Sequence, residues 1–327
     1  MRKKIIILTV GLFLTFLASA SRVSAADMDL TIDSVSFSPV QPIVGQTAKI
    51  IIKGKYTGDS ALTMNLGVDN VAFSHNDFKQ ESTTETGASV KPSEAYPLSS
   101  GSYFNYTLVG KFTAGGLKSL VFKIDGVNNL VESNEDNNLF TQAVNVLADG
   151  DLIKLANSSA VYLIKVDGKK HLFVNSPTFW SYYTGSWSSI KLNGRLIYIQ
   201  EVSQSAFDAI TTGQNVAVKS GARLIKFENS PKIYAVFGEA KLKYMTDQKY
   251  LELYGSRWKD QAITIQNGFE ADYIRADQDF IDADNDGLAN NDEQDIYETD
   301  LYLADSDGDG YKDGLEVING YNPNLDE

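Results

Sequence analysis

The sequence predicts a mainly β protein in three parts: an immunoglobulin-like β-sandwich, a β-rich α+β repeat domain, and a small C-terminal segment of acidic loops. Residues 27–147 contain short runs that alternate apolar and polar side chains, which is the pattern of strands with one buried face. Residues 150–275 contain two copies of one unit, and residues 280–323 contain two loops in which aspartates and glycines recur at fixed spacing.

The charge of the chain is unevenly distributed. The 327 residues include 42 acidic and 29 basic side chains, a net charge of −13, but the segment from Asp272 to Glu327 alone carries a net charge of −16. An acidic balance argues against a nucleic-acid partner, because binding a phosphate backbone needs clustered Lys and Arg. The absence of cysteine excludes disulfides, thiolate metal sites and a cysteine nucleophile.

The N-terminus has the pattern of a secretion signal. Met1–Lys4 is positively charged, Ile5–Ala18 is largely apolar, and Val23–Ala25 places small residues before a cleavage point at Ala26. The apolar run is shorter than the ~20 residues that a membrane-spanning helix needs, which makes an uncleaved anchor the less favoured alternative. We therefore expect a signal peptide at residues 1–25, a secreted or cell-surface protein, and no stable membrane span after cleavage.

Residues 27–147 are expected to form the immunoglobulin-like sandwich, with about seven short antiparallel strands. The region Ser74–Ser102 differs, because it has 10 Ser and Thr among 29 residues and little periodicity. We predict a long solvated loop there, with at most one short edge strand. The predicted strands are Leu30–Phe37, Ala48–Tyr56, Leu62–Val68, Tyr103–Phe112, Leu117–Ile124 and Leu139–Leu147.

A polar segment precedes the last predicted strand. It contains the run Glu132–Asn138, with the sequence ESNEDNN, and Asn and Asp suit a tight hairpin connection because they tolerate left-handed backbone conformations. With the opening strand and its Pro-rich turn, this run resembles the CARDB domain, a bacterial adhesion-related sandwich, which implies a role at the cell surface. The favoured interpretation is that the loop orders the hairpin. The alternative is that Glu132, Glu135 and Asp136 contribute to a weak cation site.

The repeat domain shows its two copies in matching strand segments. Leu152–Lys154 recurs as Leu224–Lys226, and Val161–Ile164 recurs as Ile233–Val236, at an offset of 72 residues. Each copy is expected to contain three strands followed by a short helix. The pattern resembles repeats of bacterial secreted surface proteins, which implies an architecture and a location but no activity. The two copies are residues 150–220 and residues 221–275.

The first copy contains two predicted helices and one histidine. Ser176 and Ser203 each stand where a serine can cap the start of a helix, and the second helix is expected to end at Ile210. His171 lies in a predicted strand with no second metal ligand near it, and we expect it at the surface.

Aromatic residues recur at equivalent positions of the two copies. The favoured interpretation is that these rings form the packed core of the repeats, and the alternative is that exposed rings stack on sugar faces. No nucleophile–base set, metal triad or close carboxylate pair is recognisable in this domain, so we expect no enzyme activity, and a hydrolase is the least favoured possibility. The aromatic residues are Trp180, Tyr182, Tyr183, Trp187, Tyr250, Tyr254 and Trp258.

Two loops in the acidic tail match the D-x-D-x-D-G-x5-E pattern of a calcium loop. Asp282–Glu293 fits it completely, and Asp305–Glu316 fits it 23 residues later. Ca2+ is a hard cation that takes roughly six to eight oxygen ligands, and glycine at position 6 permits the sharp turn of the loop. We predict about two bound Ca2+ ions. The predicted ligands are the side chains of Asp282, Asp284, Asp286, Glu293, Asp305, Asp307, Asp309, Asp313 and Glu316 and the backbone carbonyls of Leu288 and Tyr311.

The two loops differ from a regulatory EF-hand pair. Position 8 is normally apolar so that paired loops can join, but it is Ala289 in the first loop and Lys312 in the second, and no long entering helix is predicted. The segment 280–323 resembles instead the bacterial form of thrombospondin type 3 repeats, which implies a structural role for calcium. We expect this segment to be largely unfolded without cations.

Together these observations favour a non-enzymatic secreted or cell-surface protein with a role in adhesion or cell-envelope interaction. Its partner would be a cell-surface protein or polysaccharide, and not a nucleic acid. A glycan-binding accessory module of the cell surface is the alternative, with the aromatic rings of the repeat domain as the binding platform.

Overall fold

The structure is a computed structural model that describes residues 28–59, 62–64, 71–86, 96–125, 130–245 and 262–326. The described chain is mainly β, with several sheets and a few short helices, which confirms the predicted fold class. The predicted signal peptide lies outside the described residues. Within those residues, every helix is too short or too polar to cross a membrane.

The N-terminal part contains two sheets that face each other. One sheet has the strand order β1-β2-β7-β5, the second has the order β4-β8-β9, and β3 pairs with β6. The described strands are β1 (Asp29–Ser38), β2 (Thr47–Thr57), β3 (Leu62–Met64), β4 (Val71–Phe73), β5 (Phe78–Thr86), β6 (Tyr96–Leu98), β7 (Tyr103–Phe112), β8 (Gly116–Ile124) and β9 (Leu139–Val146).

Alternating side chains of both sheets form one apolar core. Ile50 and Ile52 on β2 and Phe122 on β8 are fully buried, while the residues between them point away from the core. Burial of each such side chain stabilises the fold by roughly 1.5–3 kcal/mol relative to exposure. The alternation of apolar and polar residues in the sequence therefore predicts correctly which side chains of these strands lie in the core.

The prediction for Ser74–Ser102 allowed one short edge strand, and β5 is an edge strand there, but the prediction that the rest is a loop is wrong because β5 is long and β6 is a second strand. The nine-residue strand β5 pairs antiparallel with β7, with Phe78 opposite Phe112, and it has a register shift between Gln80 and Ser82. Phe78 is buried and anchors the strand, whereas the polar residues after it lie on an edge strand. Thr is β-branched and favours extended backbone, so a run without apolar alternation still forms a strand there.

The sandwich and the repeat domain share a small apolar cluster at their junction. Ile43 and Leu147 of the sandwich pack in it with Ile153, Ile164 and Ile210 of the first copy. The Asn145 Nδ2 atom also donates a hydrogen bond to Gln200 Oε1 at 2.7 Å. The boundary between the two predicted domains is thus covered by side chains from both.

The repeat domain contains two main sheets with corresponding strands. The first has the order β12-β11-β10-β16 and the second the order β19-β18-β17-β20, with β21 added beside β19. In both, the opening strand pairs antiparallel with the second strand and parallel with a strand that follows later. The strands of these sheets are β10 (Leu152–Leu155), β11 (Tyr162–Ile164), β12 (Lys170–Leu172), β16 (Ile199–Val202), β17 (Leu224–Phe227), β18 (Ile233–Phe237), β19 (Lys241–Tyr244), β20 (Ile263–Ile265) and β21 (Ile274–Arg275).

Two short helices and a small sheet complete the first copy. The cap of α1 (Ser176–Trp180) is Asn175 and not the predicted Ser176, because the Asn175 side chain accepts from the amide of Thr178. Ser203 caps α2 (Gln204–Ala209), as predicted. The predicted helix of the second copy lies outside the described residues. The small sheet, which the sequence did not predict, consists of β13 (Thr184–Ser186), β14 (Ser189–Leu192) and β15 (Arg195–Ile197).

The acidic tail is built of turns and short helices. Helix α3 (Asn290–Asp292) continues as a π-turn (Glu293–Tyr297), and α4 (Asp313–Asn319) follows the second loop. Each helical segment begins inside a predicted calcium loop and carries its last acidic position. Short 3-10 helices occur at Asp136–Asn138, Asn267–Asp272 and Asp277–Asp279.

Candidate metal centre

The first acidic loop brings three predicted ligands together. Carboxylate oxygens of Asp282, Asp284 and Asp286 lie within 4.8 Å of one another. Asp284 Oδ1 accepts from the amide of Asp286 at 3.2 Å, and Asp286 Oδ1 accepts from the amide of Leu288 at 2.8 Å. Gly287, at position 6, has a φ of +108°, a conformation that residues with a Cβ rarely adopt. The glycine thus allows the chain to curl around its own carboxylates.

The second acidic loop repeats this geometry 23 residues later. Asp305, Asp307 and Asp309 also bring carboxylate oxygens within 4.8 Å of one another. Asp307 Oδ1 accepts from the amide of Asp309 at 3.1 Å, Asp309 Oδ1 accepts from the amide of Tyr311 at 2.8 Å, and Gly310 has a φ of +99°. Each bond corresponds to one in the first loop, so the two loops have the same local backbone.

The glutamate at position 12 of each loop is buried. Glu293 is 0% exposed and Glu316 is 4% exposed. Neither oxygen of Glu293, nor Oε2 of Glu316, has a hydrogen-bond partner among the described residues. Burial, followed by the charges of the neighbouring aspartates, raises the pKa of Glu293 to about 8 and that of Glu316 to about 7. A buried carboxylate without a partner is costly unless a cation or proton compensates it.

The buried carboxylate oxygens without hydrogen-bond partners lie at positions where a hard cation takes its ligands. Asp284 Oδ2 and Asp307 Oδ2, at position 3 of the two loops, are also buried without a partner among the described residues. Burial raises the pKa of Asp284 as well. In both loops the carboxylate oxygens at positions 3 and 12, which the calcium-loop pattern assigns to the ion, are thus without a hydrogen-bond partner among the described residues, and so is Asp292 Oδ2 at position 11 of the first loop.

The side chain at position 9 stabilises its own loop by accepting hydrogen bonds from position 2. Asp313 accepts from the amide of Ser306 at 2.8 Å and from its hydroxyl at 2.6 Å, and Asn290 accepts from the amide of Ala283 at 2.9 Å in the first loop. Since Asn290 and Asp313 make the same bond to position 2, this role does not need a charge. Asp313 as a calcium ligand stays a prediction.

The two loops touch each other. The Gly314 amide in the second loop donates to Asp286 Oδ2 in the first at 2.8 Å, and Lys312 Nζ donates to the carbonyl of Asn285 at 3.1 Å. A Cβ added at Gly314 would lie 2.5 Å from the Asp286 carbonyl oxygen, so only glycine allows this approach. Burial raises the pKa of Asp286 to about 6 despite both amide bonds.

A third acidic group lies in the sandwich. Asp125, Glu132 and Glu135 bring carboxylate oxygens within 4.8 Å of one another, so Asp125, and not the predicted Asp136, completes this group. Asp125 has a φ of +45° at the end of β8, and the Asp-Gly pair there was the available sequence signal. The glutamates accept hydrogen bonds from the surrounding loop and strand, which fits the interpretation that they order the hairpin.

Glu132 ties that loop to the first strand. Its Oε2 accepts from the Leu30 amide at 2.5 Å, and its Oε1 accepts from Asn138 Nδ2 at 3.1 Å. The Glu132 amide in turn donates to Glu135 Oε1 at 3.0 Å. Burial raises the pKa of Glu132 to about 7.

The aromatic residues of the first copy divide into core and surface. Tyr183 is buried with Phe179, while Trp180 and Tyr182 are half-buried against the same cluster. Trp187 is 52% exposed and stacks on Phe179 with ring centroids 4.8 Å apart. Tyr250, Tyr254 and Trp258 lie outside the described residues.

The expectation of a surface position for His171 is wrong. The side chain is 6% exposed, with Nδ1 2.6 Å from the carbonyl oxygen of Gln214 and Nε2 3.1 Å from Asp167 Oδ1. The chain after α2 returns over β12 and forms bridges to both of its ends, at Thr212 and Val216. This long-range return, which a single strand pattern does not reveal, covers the ring.

Comparisons with known proteins give the following likenesses. The chain matches no protein-family model and no curated protein. It is similar to the crystal structure of the CARDB domain of the PF1109 protein from Pyrococcus furiosus in complex with di-metal ions, at 22% identity and a TM-score of 0.24, over 38% of this chain and 97% of that one. It is also similar to domains 1–6 of the surface layer protein SbsC, at 16% identity and a TM-score of 0.20, over 67% of this chain and 26% of that one.

Proposed function

We propose that this chain is a non-enzymatic secreted or cell-surface protein whose C-terminal segment is ordered by two structural Ca2+ ions. The observation that carries the proposal is the pair of buried glutamates, Glu293 and Glu316, whose orphaned oxygens lie near the aspartates of their own loops. A bound Ca2+ would neutralise these carboxylates and accept their lone pairs. In each loop the aspartates at positions 1, 3 and 5, the carbonyl at position 7 and the glutamate at position 12 would hold the ion.

A calcium titration of the purified mature protein tests this proposal. Millimolar Ca2+ added to chelator-treated protein should protect residues 280–323 from proteolysis, because the loops close only when their charges are neutralised. Mg2+ at the same concentration is the control, since its smaller size and near-octahedral preference suit this ligand set poorly. A cleavage pattern unchanged by Ca2+ would refute the structural metal.

We further propose that the sandwich serves adhesion or cell-envelope interaction. This rests on the resemblance of the Glu132–Asn138 loop to the CARDB domain, and the partner would be a cell-surface protein or polysaccharide. Binding of the mature protein to isolated cell-wall polysaccharide and to cell-surface proteins, compared in Ca2+ and in chelator, tests the role. If the protein binds neither the polysaccharide nor the cell-surface proteins, the proposed adhesion role is contradicted.

A glycan-binding accessory role is the second candidate, and the exposure of Trp187 favours it. A ring that is half exposed and backed by Phe179 offers one face to a sugar. Trp187→Ala should then abolish retention on cell-wall polysaccharide, while Tyr302→Ala, which removes an 80% exposed ring from the tail, should not. Equal retention of both variants would remove this candidate.

A further inference from the structure

The acidic tail makes polar contacts with the turn before β17 and the turn after β18 of the second repeat sheet. The Tyr297 hydroxyl, at the end of the π-turn, donates to the carbonyl of Ser220 at 2.6 Å. The amide of Gly238, just after β18, donates to Asp292 Oδ1 at 2.8 Å. Asp292 is 1% exposed, so this bond lies inside the contact and not at its rim.

Apolar side chains of both loops enter the same contact. Leu288 is 1% exposed, and a Cβ added at Gly221 would lie 2.9 Å from its Cδ2 atom. Ile318 of α4 is 7% exposed and packs in one apolar cluster with residues of the second sheet. Those residues are Leu224, Ile233, Ala235 and Met245.

The docking residues alternate with the predicted ligands in the same turns. Leu288 carries the predicted carbonyl ligand of the first loop, and its side chain lies against Gly221 in the turn before β17. Asp292 precedes Glu293, and Ile318 follows Glu316 by two residues of one helix. Because each turn positions both kinds of residue together, the arrangement that gathers the ligands is also the one that presents the docking side chains.

We propose that the tail is a calcium-dependent clasp, which docks on the apolar face of the second repeat sheet much more tightly when its loops hold Ca2+ than when they do not. The inference rests on the proposed structural calcium sites and adds their coupling to the repeat domain. Without the ion, aspartates within 4.8 Å of one another repel and the loops open. Linkage is reciprocal, so docking must strengthen calcium binding by the same factor as calcium strengthens docking.

Calcium titration calorimetry on docking variants of the full mature chain tests the clasp. Ile318→Ala should weaken calcium binding about tenfold or more, although Ile318 offers no ligand. Tyr297→Phe, a mild change that keeps the ring, should weaken it a few-fold, and Tyr302→Phe, which alters an exposed ring of the same tail, should leave it unchanged.

Hydrogen exchange at the Gly238 amide distinguishes failure of the clasp from failure of the calcium sites. We expect Ca2+ to slow this exchange in wild type and much less in Ile318→Ala. If wild type shows no binding heat and no Ca2+-dependent protection, the calcium sites fail and the clasp fails with them. If Ca2+ binds wild type and both docking variants equally and exchange at Gly238 is unchanged, only the clasp is overturned.

Discussion

Replacing Glu293 with Gln should have opposite effects with and without calcium. The side chain is fully buried and neither oxygen has a hydrogen-bond partner among the described residues, so its charge costs free energy until a cation neutralises it. Glu293→Gln removes that charge at nearly constant volume. The calcium-free variant should therefore be more stable than calcium-free wild type, and the calcium-loaded variant less stable than loaded wild type.

The magnitude follows from the pKa of Glu293. A value of about 8 in the folded protein, against an ordinary 4.5, means that the calcium-free tail binds this proton more tightly than the unfolded chain does. The tail is then most stable below pH 4.5, and it loses on the order of 1 kcal/mol per pH unit up to pH 8. After allowing for the buried amide that replaces the acid, we expect Glu293→Gln to stabilise the calcium-free protein at pH 7.5 by about 1–3 kcal/mol.

Thermal unfolding in chelator and in millimolar Ca2+, at pH 5 and pH 7.5, measures both effects. In chelator at pH 7.5 this gain should increase the fraction of molecules whose tail is folded, which slows proteolysis of residues 280–323 and raises the unfolding midpoint of the tail, and the effect should be smaller at pH 5, where the wild-type acid is protonated. Asp295→Asn is the control, because it removes an exposed charge from the same π-turn and should change neither condition. A variant less stable than wild type in chelator at pH 7.5 would refute the account of Glu293 as a ligand that lacks its ion.

Three further changes test other parts of the structure. Gly287→Ala forces a side chain into a φ of +108° and should weaken calcium binding at the first loop by about 1–2 kcal/mol in a titration, whereas Gly268→Ala, with open space around it, should not. Glu132→Ala should cost the sandwich about 1–3 kcal/mol in urea unfolding, because the buried amide of Leu30 loses its acceptor. Lys170→Met should destabilise the first copy by a similar amount, since the buried ammonium donates to two carbonyls at the end of α2. Unchanged unfolding midpoints in Glu132→Ala and Lys170→Met would contradict these two predictions.

Local patterns were sufficient where the structure is set by neighbours along the chain. Alternation identified β2 and β8, because one face of each strand is buried in the sandwich core. The spacing of Asp and Gly identified both acidic loops, because their geometry comes from bonds between residues two apart and from glycines at positive φ. The capping role of Ser203 was predictable for the same reason.

Local patterns failed where distant segments meet. Strand β5 has polar side chains and is extended because it pairs with β7, while His171 is buried by a segment that returns some 40 residues later. Asp125 joins Glu132 through the hairpin and lies outside the recognisable motif. For β5 and His171 the partner is remote in sequence, so period and composition carry no signal of the contact, whereas Asp125 is close to Glu132 in sequence and its Asp-Gly pair was a local signal.

The net charge of −16 on the tail favours an unfolded segment, and its contacts with the repeat domain oppose this effect. An acidic segment with little apolar surface of its own is expected to stay unfolded, but Ile318 packs against the second repeat sheet and Leu288 is buried beside Gly221 in the turn before it. We expect these contacts alone not to offset both the chain entropy of ordering the tail and the repulsion among its clustered carboxylates. In the proposed clasp two ions would remove this repulsion, and the same contacts would then be sufficient to hold the segment. If the sheet supplies the apolar core and calcium lowers the repulsion among the carboxylates, as proposed, the stability of the tail should depend on both together.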